Sequence, residues 1–369
     1  MGNALSFSRR LRRTPFSNRV EANGVKSYTI YNHMLLPTVF DTVEADYHHL
    51  KKHVQVWDVA VERQVEIVGP DAARLVQLMT PRNLEKMKND QCFYVPVVDA
   101  EGGIVNDPIA IKLEDEHYWL SIADSDLLLF ATGLATGFGL NVKVSEPDVS
   151  PLAVQGPKAE TLMKRVFGDS VCDIRFFRHA RLAFQDTSFI VARSGWSKQG
   201  GFEIYLDNPS YGEPLWDSLF EAGEDLNVRA GCPNAIERIE VGLLSYGNDM
   251  TRENTPYECG LEKFCSPEGL KKCIASDALA HEAEHGPKRQ LRGLLIDGIA
   301  VPACIDPWQV TCEKGDPIGQ VTSAAWSPDL KSNIAIAMID RPFWDTNTHV
   351  TVKTPDGIRG ASVTPLPFI

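Results

Sequence analysis

From Asp41 to Val54 the chain sets apolar Val43, Leu50 and Val54 among charged residues, which predicts an amphipathic helix. Gln64 to Val68 then alternates apolar and polar positions, as a half-buried strand does. Gly69-Pro70 follows at once, and a proline at the first helical position, where its missing N–H costs nothing, predicts a helix running on through Leu75. The same device returns about 87 positions later as Gly156-Pro157, again after a short apolar strand, Leu152 to Gln155. Two such units predict two related α+β layers.

Between them, Phe93 to Asp99 and Ile104 to Leu113 read as two strands joined through Ala100-Glu101-Gly102-Gly103, a hairpin turn that needs positive φ, and Tyr118 to Ala123 reads as a third. Further on, Thr187 to Arg193 and Gly201 to Leu206 are strand-like and flank the polar, glycine-rich loop Ser194 to Gly200. From Lys288, short β-rich runs at Leu291 to Ile296, Pro317 to Thr322 and Asn333 to Ile339, separated by Gly and Pro, predict a small all-β C-terminal domain. The helix and charged linker from Ser276 to Arg289 mark the boundary. The expected fold is therefore α+β, divided into residues 1–285 and 286–369.

Composition adds exclusions. A chain of 369 residues, 43% hydrophobic and 23% charged, buries a large core in two or three domains. Its net charge of −12 repels a phosphate backbone and an anionic bilayer alike, which argues against nucleic acid and membrane as partners. Eight cysteines with no C-x-x-C pair, in a chain too large to need covalent staples, read as reduced thiols of a cytoplasmic protein. Met1-Gly2 with Ser6 fits an acylation pattern and Arg9-Arg10 resembles a twin-arginine signal. The polar, proline-broken stretch that follows offers no apolar segment to insert, and no stretch approaches the length of a transmembrane helix.

His281-Glu282-Ala283-Glu284-His285 satisfies H-E-x-x-H, a zinc-protease pattern when it lies on a helix. Gly286-Pro287 stops the helix immediately, the surroundings are a charged linker, and no third ligand stands at a familiar spacing, so a solvated helix end is the reading preferred. His49 and His53, also four apart, lie beside His48, Lys51 and Lys52 in a setting too cationic for a metal. No metal is expected.

Several motifs carry a resemblance. Trp57-Asp58-Val59, then Gly102 to Asp107, then Val154-Gln155-Gly156-Pro157, then Ser194-Gly195-Trp196 through Gly201-Phe202-Glu203-Ile204, are similar in this order to the aminomethyltransferase (T-protein) family of the glycine cleavage system. Arg238 to Leu243, Tyr246 to Met250, Val321-Thr322-Ser323 and Trp326-Ser327-Pro328 extend the likeness to nearly the whole chain. It implies three domains around a central folate-binding hole and a reaction that uses tetrahydrofolate. The stretches Thr14 to Pro37 and Val54 to Gln64 most resemble the branch that takes a methyl group from a sulfonium donor. The partner implied is a small-molecule methyl donor, with a homodimer left open.

The resemblance also implies a site. Glu203 matches the pterin-binding glutamate, whose carboxylate accepts paired hydrogen bonds, and Phe202 and Ile204 would face away from it on a strand. Tyr94, Asp107 and Arg359 are the other residues expected at the cofactor, Asp107 through structural hydrogen bonds. Asn106 replaces a family aspartate placed near the folate nitrogens, and is the candidate catalytic residue of a transfer that needs no acid to release ammonia. Trp196 and Tyr205 are the aromatic faces expected to hold the onium donor, which accepts no hydrogen bonds. Asn234 stands where the family carries a folate-binding arginine. Two other functions compete: aminomethyl transfer from a lipoylated carrier, against which Asn106 argues, and a folate-binding iron–sulfur assembly role, whose C-x-x-G-Q-E motif is missing from the loop before Glu203.

Overall fold

The computed structural model describes residues 8–369, so the acylation pattern at Met1, Gly2 and Ser6 lies outside them. Two β-sheets stand face to face, each with helices on its outer side, and a closed barrel completes the molecule. In the first sheet Lys143–Ser145, Gln64–Val68, His117–Ser121, Ile109–Glu114 and Cys92–Tyr94 lie side by side. The second runs Val228–Gly231, Val54–Asp58, Ser150–Gln155, Gly201–Leu206, Thr187–Ala192 and His179–Phe184. Without Val54–Asp58, the second sheet repeats the strand order of the first.

Alternation explains the layers. Val65 and Ile67 point outward onto Leu75 and Val76 of the helix Ala72–Leu78. Phe202 and Ile204 point outward onto Leu162 and Met163 of the helix Ala159–Phe167. The opposite faces meet each other, with Trp119 and Ile111 of the first sheet packed on Tyr205 and Ile190 of the second.

Both Gly-Pro units differ from expectation by one turn of chain. Ala72 N–H donates to Gly69 O and Ala159 N–H to Gly156 O, each at 2.9 Å, so each proline is the second residue of a β-turn that precedes its helix. Glycine is required there, because φ is +138° and +121° and a Cβ would meet Asn141 O at 2.5 Å or His53 O at 2.4 Å. The first helix is also shorter than its pattern, Val43–Lys52, started by Thr42 Oγ1 accepting from Ala45 N. Val54 instead opens a fully buried strand, Val54–Asp58, which pairs parallel with Val228–Gly231 and antiparallel with Ser150–Gln155. Its lack of alternation hid it. The hairpin from Phe93 to Leu113 is broken on both arms, by Pro96 and by Pro108, into an outer pair, Cys92–Tyr94 with Ile109–Glu114, and an inner pair, Val97–Val98 with Ile104–Asn106.

The C-terminal runs close into a six-stranded barrel, Arg289–Ile296, Ser332–Asp340, Pro317–Ser327, Trp308–Thr311, His349–Thr354 and Gly357–Thr364. Barrel residues Leu291, Ile334, Ile336 and Met338 share one buried cluster with Ile239, Met250, Leu261 and Leu279 of the preceding segment. A short polar helix, Ala235–Glu240, makes the strongest link. Arg238 Nη1 donates to Asp249 Oδ2 at 2.7 Å and Nη2 to Ser323 Oγ of the barrel at 2.6 Å, while Glu240 accepts from Tyr47 OH and from Ser327 Oγ of the barrel. No helix among the described residues is long and apolar enough to cross a membrane.

Asp249 is 2% exposed and Arg238 7%. Asp249→Ala therefore leaves a buried guanidinium without its counter-charge, and should lower unfolding free energy by about 3–5 kcal/mol in a urea titration. A change inside about 0.5 kcal/mol would deny this pair its role in joining barrel and sheets.

Candidate active site

The pleat that sends Phe202 and Ile204 outward sends Glu203 and Tyr205 inward, between the sheets. Glu203 is 6% exposed, and both of its bonds fall on one oxygen: Ser194 Oγ donates to Oε2 in a short bond and Tyr205 OH donates to it at 3.3 Å. Oε1 is left for a ligand. Burial raises the pKa of Glu203 against the pull of these two hydroxyls. Behind Tyr205 stands Ser121, which accepts from Gln64 Nε2 at 2.9 Å.

The proline-broken hairpin sets two more residues. Tyr94 OH donates to Asp107 Oδ2 at 3.1 Å, and burial pushes the Asp107 carboxyl up to about 7. Asn106, next to it, points the other way. Its Nδ2 donates to Ala123 O at 3.0 Å and Ser125 Oγ at 2.7 Å, its Oδ1 accepts from Ala123 N at 3.0 Å, and it is fully buried. The amide that sequence reasoning offered as catalytic is thus a clip between two strand ends, and Asp107 is the member of the pair that faces the central space.

Three residues were missed. Tyr31 ends a strand whose turn takes Asn32 and His33 through φ of 48° and 65°, the conformation of a type I′ hairpin for which asparagine is well suited. Asn32 Nδ2 donates to Val61 O at 2.9 Å, which fastens that turn beside Glu62. The Glu62 side chain has no hydrogen-bond or ion-pair partner among the described residues, and its pKa stands well above the usual range, raised by burial and then by the charges of Glu203 and Asp107. Local spacing carried no signal for Glu62, which precedes the strand Gln64–Val68 and is separated from its alternation by the polar Arg63. Tyr246, half-buried, also lies by Asp107, with its OH donating to Ile104 O at 3.1 Å.

Other predicted residues do not join this group. Arg359 lies in the barrel hairpin and donates to Ile299 O and, at 3.4 Å, to Asp356. Tyr205 is 1% exposed, with its ring against Trp119, so it supports Glu203 and offers no face to a donor. Trp196 has the Arg238 guanidinium 5.8 Å from its ring centre, which disfavours a second cation there. Asn234 caps the helix Ala235–Glu240, its Oδ1 accepting from Ile236 N and Glu237 N. On the helix Ser276–His285, Glu282 accepts from Thr255 Oγ1 at 2.5 Å, while His281 and His285 stack on each other in solvent. His49 and His53 are likewise engaged, with Asn227 O and Lys158 Nζ.

A six-stranded barrel thus stands beside two helix-covered sheets, with Glu62, Asp107 and Glu203 near enough to one another for the latter two to raise the first. The chain belongs to the glycine cleavage T-protein family: the GCVT N-terminal domain matches residues 16–269 and the glycine cleavage T-protein C-terminal barrel domain matches residues 289–369. Within the family it is 62% identical over 357 residues to a dimethylsulfoniopropionate demethylase of Ruegeria pomeroyi, covering 96% of this chain and 97% of the relative. An aminomethyltransferase of Thermoanaerobacter pseudethanolicus is 28% identical over 323 residues, covering 86% of each. The crystal structure of the glycine cleavage system aminomethyltransferase T from Bartonella henselae has the same fold, with a TM-score of 0.86 at 23% identity over 97% of this chain and 98% of that one.

Asp107 binds its proton more tightly in the folded chain, at about 7, than at its ordinary value of 3.8. The stability this gives is complete below the ordinary value and is lost as pH rises through about 7. Asp107→Asn keeps the neutral form at every pH. Thermal melts should therefore show the variant matching the wild type near the ordinary value and exceeding it above about 7. A gap that does not widen with pH would contradict the raised carboxyl.

Proposed function

We propose that this chain transfers a methyl group from dimethylsulfoniopropionate to tetrahydrofolate, leaving methylthiopropionate. The observation that carries the reading is the 62% identity, over 96% of the chain, to a dimethylsulfoniopropionate demethylase. The site is chemically suited to it. Glu203, held on Oε2 by Ser194 and Tyr205, offers its other oxygen to the adjacent amino and N–H donors of a pterin ring. Tyr94 and Asp107 stand on the neighbouring hairpin as further cofactor-binding residues.

Tetrahydrofolate supplies a nucleophilic ring nitrogen. The sulfur keeps the electron pair of the broken C–S bond, so the donor needs no acid to leave. Methylation of an N–H nitrogen releases one proton, for which the sequence reading provided no acceptor. Asp107 Oδ, close to neutrality, is suited to hold it. We assign most of the acceleration to positioning of two bound molecules, an effect that reaches about 7–11 kcal/mol for well-oriented reactants.

The division at residue 285, a cytoplasmic site of action where eight unpaired cysteines stay reduced, and the absence of a nucleic-acid partner belong to the same proposal. A homodimer is the assembly to test by sedimentation.

Incubation with dimethylsulfoniopropionate and tetrahydrofolate should yield methylthiopropionate and 5-methyltetrahydrofolate in equal amounts, and absence of both products rejects the reading. Glu203→Ala should weaken tetrahydrofolate binding by about 1.5–3 kcal/mol in calorimetry, or about 10- to 150-fold in Kd. Transfer from a donor with a chiral methyl group should invert configuration, whereas net retention requires a methylated side chain as intermediate.

A further inference from the structure

A third acid near Glu203 and Asp107, Glu62, is one that the pterin reading leaves unused. Its side chain has no hydrogen-bond or ion-pair partner among the described residues, and Glu203 and Asp107, which also lack a basic partner there, lie close enough to act on it. Gln64, fully buried, is the second observation. Its Nε2 donates to Glu62 O at 2.8 Å and to Ser121 Oγ at 2.9 Å, which sets the amide between Glu62 and the Tyr205–Glu203 pair. Its Oε1 has no hydrogen-bond partner. A buried amide oxygen and an unpartnered acidic side chain two residues apart are acceptors suited to a positive, weakly hydrogen-bonding ligand.

On the basis of the proposed demethylation, we propose that Glu62 and Gln64 form the subsite for the positive sulfur of the donor, across from Glu203. Carbons bonded to a sulfonium carry polarised C–H groups, which donate weak bonds to oxygens such as Gln64 Oε1. The role has a kinetic signature. The donor's charge is full in the ground state, where it draws Glu62 to its ionised form, and disappears as the methyl group leaves, so the carboxylate strengthens donor binding more than it stabilises the transition state. It also favours release: the thioether product is neutral at sulfur and gains nothing from Glu62.

The test uses the full chain with saturating tetrahydrofolate. Glu62→Gln should raise the KM for dimethylsulfoniopropionate at least tenfold, leave kcat equal or higher, and leave the KM for tetrahydrofolate within twofold. A structural role would lower kcat and disturb both substrates. In the wild type, 4-methylpentanoate, which has a neutral carbon in place of the sulfonium and keeps the carboxylate, should bind at least tenfold more weakly than dimethylsulfoniopropionate, and Glu62→Gln should collapse that ratio. Glu62→Asp, which keeps the charge, should retain most of the preference. If Glu62→Gln does not fold, the wild-type isostere comparison decides alone. Equal binding of isostere and donor, an unchanged donor KM, or a rise confined to tetrahydrofolate overturns the assignment. Failure of the wild type to demethylate the donor rejects the functional reading itself, a separate outcome.

Discussion

The molecule depends on a six-residue helix that could not stand by itself. An isolated helix as short as Ala235–Glu240 is unstable in water, and this one buries Glu237, Arg238 and Glu240. At about 100° per residue these three side chains leave the axis in different directions, and each finds a different part of the fold. Glu237 accepts from Lys198 N and Gln199 Nε2 and so holds the loop that carries Ser194, the donor to Glu203. Arg238 and Glu240 reach the barrel, and Glu240 also takes the hydroxyl of Tyr47 from the first long helix. The fixed position of Glu203 is thus tied, through one loop and one helical turn, to the closure of the barrel.

Around that frame, the central space is built against stability. Carboxyls at Glu62, Asp107 and Glu203 are all raised first by burial, and none has a basic partner. Folding alone would favour apolar residues or ion pairs at such positions, as it does at Arg238 and Asp249. Groups left in this condition belong to ligands. The pterin edge offers N–H donors and the sulfonium a diffuse positive charge, while Tyr94 and Tyr246 already turn their hydroxyls to the Asp107 carboxylate and the Ile104 carbonyl.

What could be read in the sequence was whatever depended on local spacing. Gly156-Pro157 after an apolar strand, the alternation around Glu203, and the Gly-Pro stop after His285 each state a local backbone requirement, and the structure meets them with at most a shift of register. The losses came where tertiary partners decide. Val54–Asp58 has no period because both faces are covered. Asn106 and Asp107 are adjacent and polar, and only Pro108 with the Ala123 backbone decides which of them looks inward. Glu62 was inside a quoted motif and passed unnoticed, since no local rule separates a carboxylate that faces a cavity from one that faces water.

Asn234 brings these points together. The asparagine here starts the helix on which the frame rests. Its Oδ1 accepts from two backbone amides, and its Nδ2 donates to Val43 O at 2.8 Å, the first residue of the helix that supplies Tyr47. An arginine cannot accept those hydrogen bonds, and loss of such a cap costs about 1 kcal/mol. The position therefore contributes rigidity to the element that positions Glu203. Rigidity of this kind suits a transfer between two bound molecules, in which alignment of the reacting atoms supplies much of the acceleration.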